Sequence, residues 1–342
     1  MVLEVISNGR KTLYQSATAF RTERIGKWAH IATVYDLEKK KVSHFINGRP
    51  FSHEKTKLDA TISFANASLG YLYSKKPTGR TSLQGSLDEF AIFKVSLPES
   101  EIKNFTLIPG AELHTSKMGN GELWHILALG LNDKLKPPNQ PNFLINNKSE
   151  NIESLSSRLF ESGAFVSLTH PEWNGMALQD TLKVKKVHAI EIYNHSCAIE
   201  CDRGSGIAVL DQILNHGKKI NIIATDDSHF HINDAFGGWV MVKSESNNKE
   251  AILEALKKGH YYSSQGPDFK NIRLQNGKLE VVCTPVEKII VNGYGSASTY
   301  KYKNNMESAV FNLGLLPQKK WLRVTIIDKK GNRAWTNPIY DY

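Results

Sequence analysis

Apolar and polar positions change rhythm twice along the chain, and the changes divide it into three segments. Residues 1–105 alternate in the two-residue rhythm of half-buried strands. Trp28 to Tyr35 (WAHIATVY), Val42 to Ile46, Ala67 to Leu72 and Ser86 to Val95 are the expected strands, with Asn47-Gly48 as a tight turn. Short strands divided by turn residues predict a β-sandwich. Leu97-Pro98-Glu99-Ser100-Glu101-Ile102 then carries proline and acids where a helix begins.

Residues 106–266 follow another pattern. Helical spacing appears at Ile152, Leu155, Leu159 and Phe160, at Ile207, Leu210, Ile213 and Leu214, and along Lys249 to Lys258. Between these lie short apolar runs, Ala164 to Leu168, Val187 to Ile192 and Ile220 to Ala224. Strands alternating with helices predict a parallel sheet or barrel with covered faces. Such folds gather their chemistry at the C-terminal ends of strands. Residues 267–342 return to alternation, at Phe269 to Cys283, Glu287 to Val291, Ala309 to Leu315 and Trp321 to Ile327. Turns are expected at Asn276-Gly277, Asn292-Gly293 and Lys330-Gly331, so this segment reads as a small terminal β-sandwich.

A length of 342 residues fits such a multidomain chain. Hydrophobic residues at 40% and charged residues at 23% are ordinary for globular protein, and no apolar run is long enough to span a bilayer. Met1 to Ile6 lacks the basic and long apolar regions of a signal peptide, so no export signal is expected in this chain. The net charge of +9 is scattered in short clusters such as Lys39-Lys40-Lys41, Lys75-Lys76 and Lys319-Lys320. No basic stripe interleaves with aromatics, so no nucleic-acid partner is expected. Cys197, Cys201 and Cys283 are too few for a disulfide framework. Cys197 and Cys201 either pair, join His195 at a metal, or are buried free thiols, and the last is expected.

Candidate chemistry lies at ends of the middle segment's strands. Ala224-Thr225-Asp226-Asp227-Ser228-His229 follows an apolar run, and Asp227 with His229 offers a hard oxygen and an imidazole nitrogen to a metal. His170 follows Ala164 to Leu168 and precedes Pro171, which should hold it extended. His125 lies in the apolar strand Trp124 to Gly130, where taken alone it reads as a core histidine. Glu112 follows Ile108-Pro109-Gly110-Ala111. Each residue has an ordinary structural reading. Their recurrence at similar positions points instead to a metal site. Asp234 to Trp239 and Ser263 to Gly266 are candidates for lining it, though no substrate-binding residue is assigned.

Two resemblances extend this reading. Leu107 to Tyr342 resembles the PHP (polymerase and histidinol phosphatase) superfamily, in its CehA/McbA-like metallohydrolase branch. The carrying stretches are LIPGAE (Leu107 to Glu112), WHILALGL (Trp124 to Leu131), THPEWNG (Thr169 to Gly175), AIEIYN (Ala189 to Asn194), ATDDSHF (Ala224 to Phe230), AFGGWVMVKSE (Ala235 to Glu245), AILEALKKGHYYSSQGP (Ala251 to Pro267) and NRAWTNPIY (Asn332 to Tyr340). The resemblance implies a distorted (β/α) barrel over 106–266 with zinc, manganese or iron, and hydrolysis of phosphate esters by a metal-activated water. It implies metal ligands Glu112, His125, His170, Asp227 and His229, with Glu112, Asp227 and His229 also serving catalysis. Family members begin with a His-x-His strand end and an Asp-His pair. Neither stands before Leu107, and His30, His44 and His114 do not supply them. The implied barrel therefore lacks its first βα units, and fewer metals than the family's three are expected.

Residues 1–105 resemble the C-terminal half of a laminin-G-like (concanavalin-type) jelly roll. WAHIATVYD (Trp28 to Asp36), VSHFINGRP (Val42 to Pro50), ASLGYL (Ala67 to Leu72) and LQGSLDEFAIFKVSLPESEIK (Leu83 to Lys103) carry the likeness. Asp88 and Glu89 read as strand-edge polar residues rather than calcium ligands. Modules of this kind bind glycans or proteins and often belong to exported proteins, which implies an extracellular or periplasmic location. The expected function is thus metal-dependent phosphoester hydrolysis. The alternative is a non-catalytic carbohydrate- or protein-binding adhesion protein on a degenerate barrel scaffold.

Overall fold

The structure is a computed structural model that describes residues 2–7, 10–15, 31–36, 38–46, 48–57, 106, 108–131, 150–229, 232, 234–316, 320–340 and 342. The chain divides into two compact units, Met1–Leu107 and Ile108–Tyr342. Several expectations fall outside the described residues. These are the strands at Ala67 to Leu72 and Ser86 to Val95, the helix start at Leu97 to Ile102, and Asp88 and Glu89.

In the first unit, β1 (Val2–Ser7) and β2 (Arg10–Gln15) pair antiparallel. A second antiparallel sheet has the order β3 (Ile31–Asp36), β4 (Lys41–Ile46), β5 (Arg49–Lys55). The alternation read in Val42 to Ile46 is visible in β4, where Val42, His44 and Ile46 are buried. Phe45 is buried too, next to an irregularity in the β4–β5 register between His44 and Phe45. Buried His44 meets Thr33 Oγ1 at 3.0 Å from its Nδ1. Tyr14, fully buried, accepts the Lys57 amide N–H at its hydroxyl, 2.9 Å, and packs edge-on against Tyr35.

The second unit is built on a five-stranded sheet with two kinds of pairing. Its strands are β6 (Gly110–Lys117), β7 (Leu123–Leu129), β8 (Phe165–Leu168), β9 (Ala189–Asn194) and β10 (Asn221–Thr225). The order is β10-β9-β8-β7-β6. β8, β9 and β10 run parallel, whereas β6–β7 and β7–β8 are antiparallel. Helices α1 (Ile152–Glu161), α2 (Leu178–Lys183), α3 (His195–Cys201) and α4 (Ile207–Asn215) supply the expected alternation. α1 starts at an Asn151 cap, whose side chain accepts the Ser154 amide, and buries Ile152, Leu155 and Leu159 against the sheet core. α4 buries Leu210, Ile213 and Leu214 in the same core.

This corrects the expected (β/α) barrel. Among the described residues strand accounts for 47% and helix for 19%, and no barrel closes. Closure requires the terminal strands of the sheet to pair, and β10 and β6 stay at its two ends. The physical reason lies between β6 and β7. Only Met118 to Glu122 join them, with Gly121 at φ 93, and a link that short makes a hairpin. A parallel pair would need a crossover of about a dozen residues or more.

The remaining strands are β11 (Trp239–Val242), β12 (Tyr261–Ser264), β13 (Phe269–Gln275), β14 (Lys278–Gly293), β15 (Ser298–Asn312), β16 (Trp321–Ile327), β17 (Arg333–Thr336) and β18 (Ile339–Tyr340). They form one sheet, β11-β12-β17-β16-β14-β13, with β15 on β14 and β18 on β16. α5 (Lys249–Lys258) joins β11 to β12, capped by Asn248 and ended by Gly259 at φ 75. The expected terminal sandwich is instead one sheet around one long strand, and it takes in β11 and β12 from the segment expected to form the barrel. β14 meets β13 along its first part and β16 along its last, with register breaks between Val282 and Lys288. Its inward residues Leu279, Val281, Cys283, Val286, Ile289 and Val291 line the core of this sheet. The Asn276-Gly277 turn holds, both residues having positive φ, but Asn292-Gly293 belongs to β14 itself. Trp321 and Trp335 join the core of the five-stranded sheet.

Candidate functional site

The β6–β7 hairpin places three of the site's side chains. Glu112 and His114 are two apart on β6 and share a face, and His125 lies opposite His114 in the register. The His114 and His125 rings stack at 3.7 Å and 23°. β8 pairs with β7 and ends at Leu168, so Thr169 and His170 emerge beside the hairpin. His125 Nδ1 donates to Glu112 Oε1 at 2.8 Å, and His170 Nε2 donates to the same oxygen at 3.0 Å. Thr169 Oγ1 donates to it at 3.4 Å.

His170 is not extended, as the following proline led us to expect. Its φ is 26, a left-handed conformation that is costly away from glycine. Glu191 holds it there, accepting the His170 amide N–H at 2.6 Å. Glu191 is 2% exposed and also accepts Asn194 Nδ2 at 3.0 Å and Thr225 Oγ1 at 2.7 Å. Asn194 Nδ2 extends the network to Asp227 Oδ2 at 3.2 Å.

Electrostatics follow from this packing. Burial alone would raise the Glu112 carboxyl. The hydrogen bonds and charges of His125 and His170 outweigh it and hold Glu112 well below the ordinary carboxylate range. Burial works against the charged form of His170, yet Glu112, Glu191 and Asp227 raise its pKa. His114 is lowered by burial and by His125. Burial raises Glu191 and Asp227, the latter also through the Glu112 charge.

Glu112, His125 and His170 therefore each turn one donor atom into a common space, all within 4.8 Å of one another. One carboxylate oxygen with two imidazole nitrogens is the donor set of a three-residue transition-metal site with a position left for water. The residues present fit one divalent cation. Asp227 stands outside this trio, linked through Asn194 and Glu191 to His170. Its own φ is 51. His229 is exposed, and its amide donates to Asp234 Oδ2 at 2.7 Å.

Two carboxylates organise the loop after β10. Asp226 accepts the amides of Phe236, Gly237 and Gly238 at 2.6, 2.7 and 2.8 Å. Asp234, fully buried, accepts Ser228 Oγ at 2.8 Å. Ser263 and Ser264 are also fully buried, and their hydroxyls donate to the carbonyls of Ile222 and Pro267. His195 Nδ1 meets the Tyr193 hydroxyl at 2.8 Å, and the three cysteines are free.

Sequence reasoning missed His114, Trp173, Glu191 and Asn194. Glu191 had a signal: an acid in the otherwise apolar run AIEIYN must find partners when that strand is buried.

Residues 3–103 match the concanavalin A-like lectin/glucanases superfamily. That match covers the segment read above as laminin-G-like, and it supplies no evidence for a PHP domain in the rest of the chain. The resemblance of Leu107 to Tyr342 to the PHP superfamily thus stands without support, in line with the open sheet. No curated protein matches the chain. No helix among the described residues is long and apolar enough to cross a membrane.

Proposed function

We propose that this chain is a glycan-recognition protein whose second unit carries a single divalent-cation site. The carrying observation is the match of residues 3–103 to the concanavalin A-like lectin/glucanases superfamily. A module resembling that class is expected to bind glycans or proteins. An extracellular or periplasmic setting suits this role. Glu112, His125 and His170 are the residues that would hold the cation, zinc, manganese or iron. Glu191 would keep His170 turned toward it. A glycan array probed with the full chain tests the main reading. Selective retention of a carbohydrate class is expected, and retention of none would refute it.

A second reading, metal-dependent hydrolysis of a phosphate ester, is favoured by the donor set itself. Glu112, His125 and His170 leave a position open, as catalytic sites do and purely structural zinc sites do not. A cation there supplies a bound water of lowered pKa. Asp227, three hydrogen bonds from His170 by way of Glu191 and Asn194, is then a carboxylate less buried than Glu191 for holding a proton. Turnover of p-nitrophenyl phosphate that is abolished by chelator and by His170→Ala would support this reading. Turnover unaffected by either would refute it.

A further inference from the structure

Trp173 differs from the core tryptophans of the second unit. Trp124, Trp321 and Trp335 are each 1% exposed, whereas Trp173 is 40% exposed. It lies in the loop after β8, directly against the candidate cation site. Its ring is 4.9 Å from that of His170, edge-on at 75°, and 5.6 Å from that of His125. The loop is pinned on several sides. Asn120 Nδ2 donates to the carbonyls of Asn174 and Gly175 at 2.8 and 3.2 Å, and the Met176 amide donates to the Pro171 carbonyl at 2.9 Å. The Ser205 amide donates to Glu172 Oε2 at 2.7 Å. An indole fixed in place and left in water is a preorganised stacking surface. The next residue, Asn174, is 2% exposed, and neither the Nδ2 nor the Oδ1 of its side chain has a hydrogen-bond partner among the described residues.

We propose that Trp173 is a sugar-stacking platform that sets the ligand class of the Glu112–His125–His170 site: a pyranose bearing an anionic group. The ring lies on the indole, and the anion reaches the cation held by the trio. The commitment to a sugar comes from the lectin-like module in the same chain. The proposal rests on the cation reading above.

The test uses the full chain loaded with Zn2+ and titrated with three probes, glucose 6-phosphate, glycerol phosphate and adenosine monophosphate. Trp173→Ala is expected to weaken glucose 6-phosphate by about tenfold or more. It should leave glycerol phosphate and Zn2+ affinity unchanged, and Trp173→Phe should retain most of the binding. Unchanged glucose 6-phosphate affinity in Trp173→Ala overturns the platform, as does an equal loss for both phosphates. Tighter binding of adenosine monophosphate than of glucose 6-phosphate overturns the sugar assignment. Failure of the wild-type chain to bind Zn2+ would refute the cation reading separately. Saturation-transfer NMR with methyl glucoside then reads the stacking alone. A signal diminished by Trp173→Ala supports it, and a signal the substitution does not alter overturns it.

Discussion

His188 should make the second unit lose stability as pH falls toward 5. Its ring is stacked against Phe160 at 4.3 Å and Phe165 at 5.3 Å, and Nδ1 accepts the Val166 amide N–H at 3.0 Å. Burial, reinforced by the Lys257 ammonium, pushes its pKa from 6.5 down to about 4. A histidine depressed in the folded state takes up its proton first in the unfolded state. Its penalty is therefore absent above pH 6.5 and accumulates between pH 6.5 and about 4. Between pH 7 and pH 5 linkage gives a loss of about 2 kcal/mol. The ring is only partly buried, so screening reduces this to about 1 kcal/mol. Protonation also removes the lone pair that accepts from Val166. Hydrogen exchange at the Val166 amide, corrected for intrinsic rates, is the local assay, with urea denaturation as the global one. His188→Asn keeps an acceptor and loses the titration, so its stability should change less between pH 7 and pH 5. Equal pH dependence in the wild type and His188→Asn would refute the reasoning.

Two further perturbations follow from buried contacts. Arg323, 4% exposed, grips Asp211 with Nε and an Nη, both at 3.1 Å, while Asp211 is 33% exposed. Asp211→Ala strands a buried guanidinium and should cost about 3–5 kcal/mol. Arg323→Ala should cost less, because water can reach Asp211, and thermal melting showing the reverse order would refute this. A methyl at Gly206 would overlap the Glu191 carbonyl oxygen, so Gly206→Ala should destabilise by about 2 kcal/mol or more. Gly217→Ala meets open space and carries only the strain of its φ of 91, about 1 kcal/mol. Similar melting temperatures for the two variants would contradict that difference.

Local periodicity was legible where one face of an element is buried. The helical spacing of Ile152, Leu155 and Leu159 and the runs at Ala164 to Leu168 and Ile220 to Ala224 appear as α1, β8 and β10, the two strands each starting one residue later. Strand direction was not legible, because an apolar run reads alike in parallel and antiparallel sheets. The clue overlooked was Asn120-Gly121, a hairpin signal between β6 and β7 that excludes a parallel pair there. Glu112, His125 and His170 were read as strand-end residues; only His170 lies past a strand end, Glu112 and His125 standing within β6 and β7, yet the structure brings the three within reach of one point. His114 stacks on His125 through the antiparallel register, which a barrel reading cannot reveal. Likewise the twist at His170 depends on Glu191, a partner 21 residues away in sequence.

Isothermal titration of the full, metal-stripped chain with Zn2+ tests most directly whether Glu112, His125 and His170 act as one cation site. One equivalent should bind to the wild-type chain, and His170→Ala and Glu112→Gln should each weaken it by about a hundredfold. Absence of binding by the wild-type chain, or affinity unchanged in His170→Ala, would contradict the account.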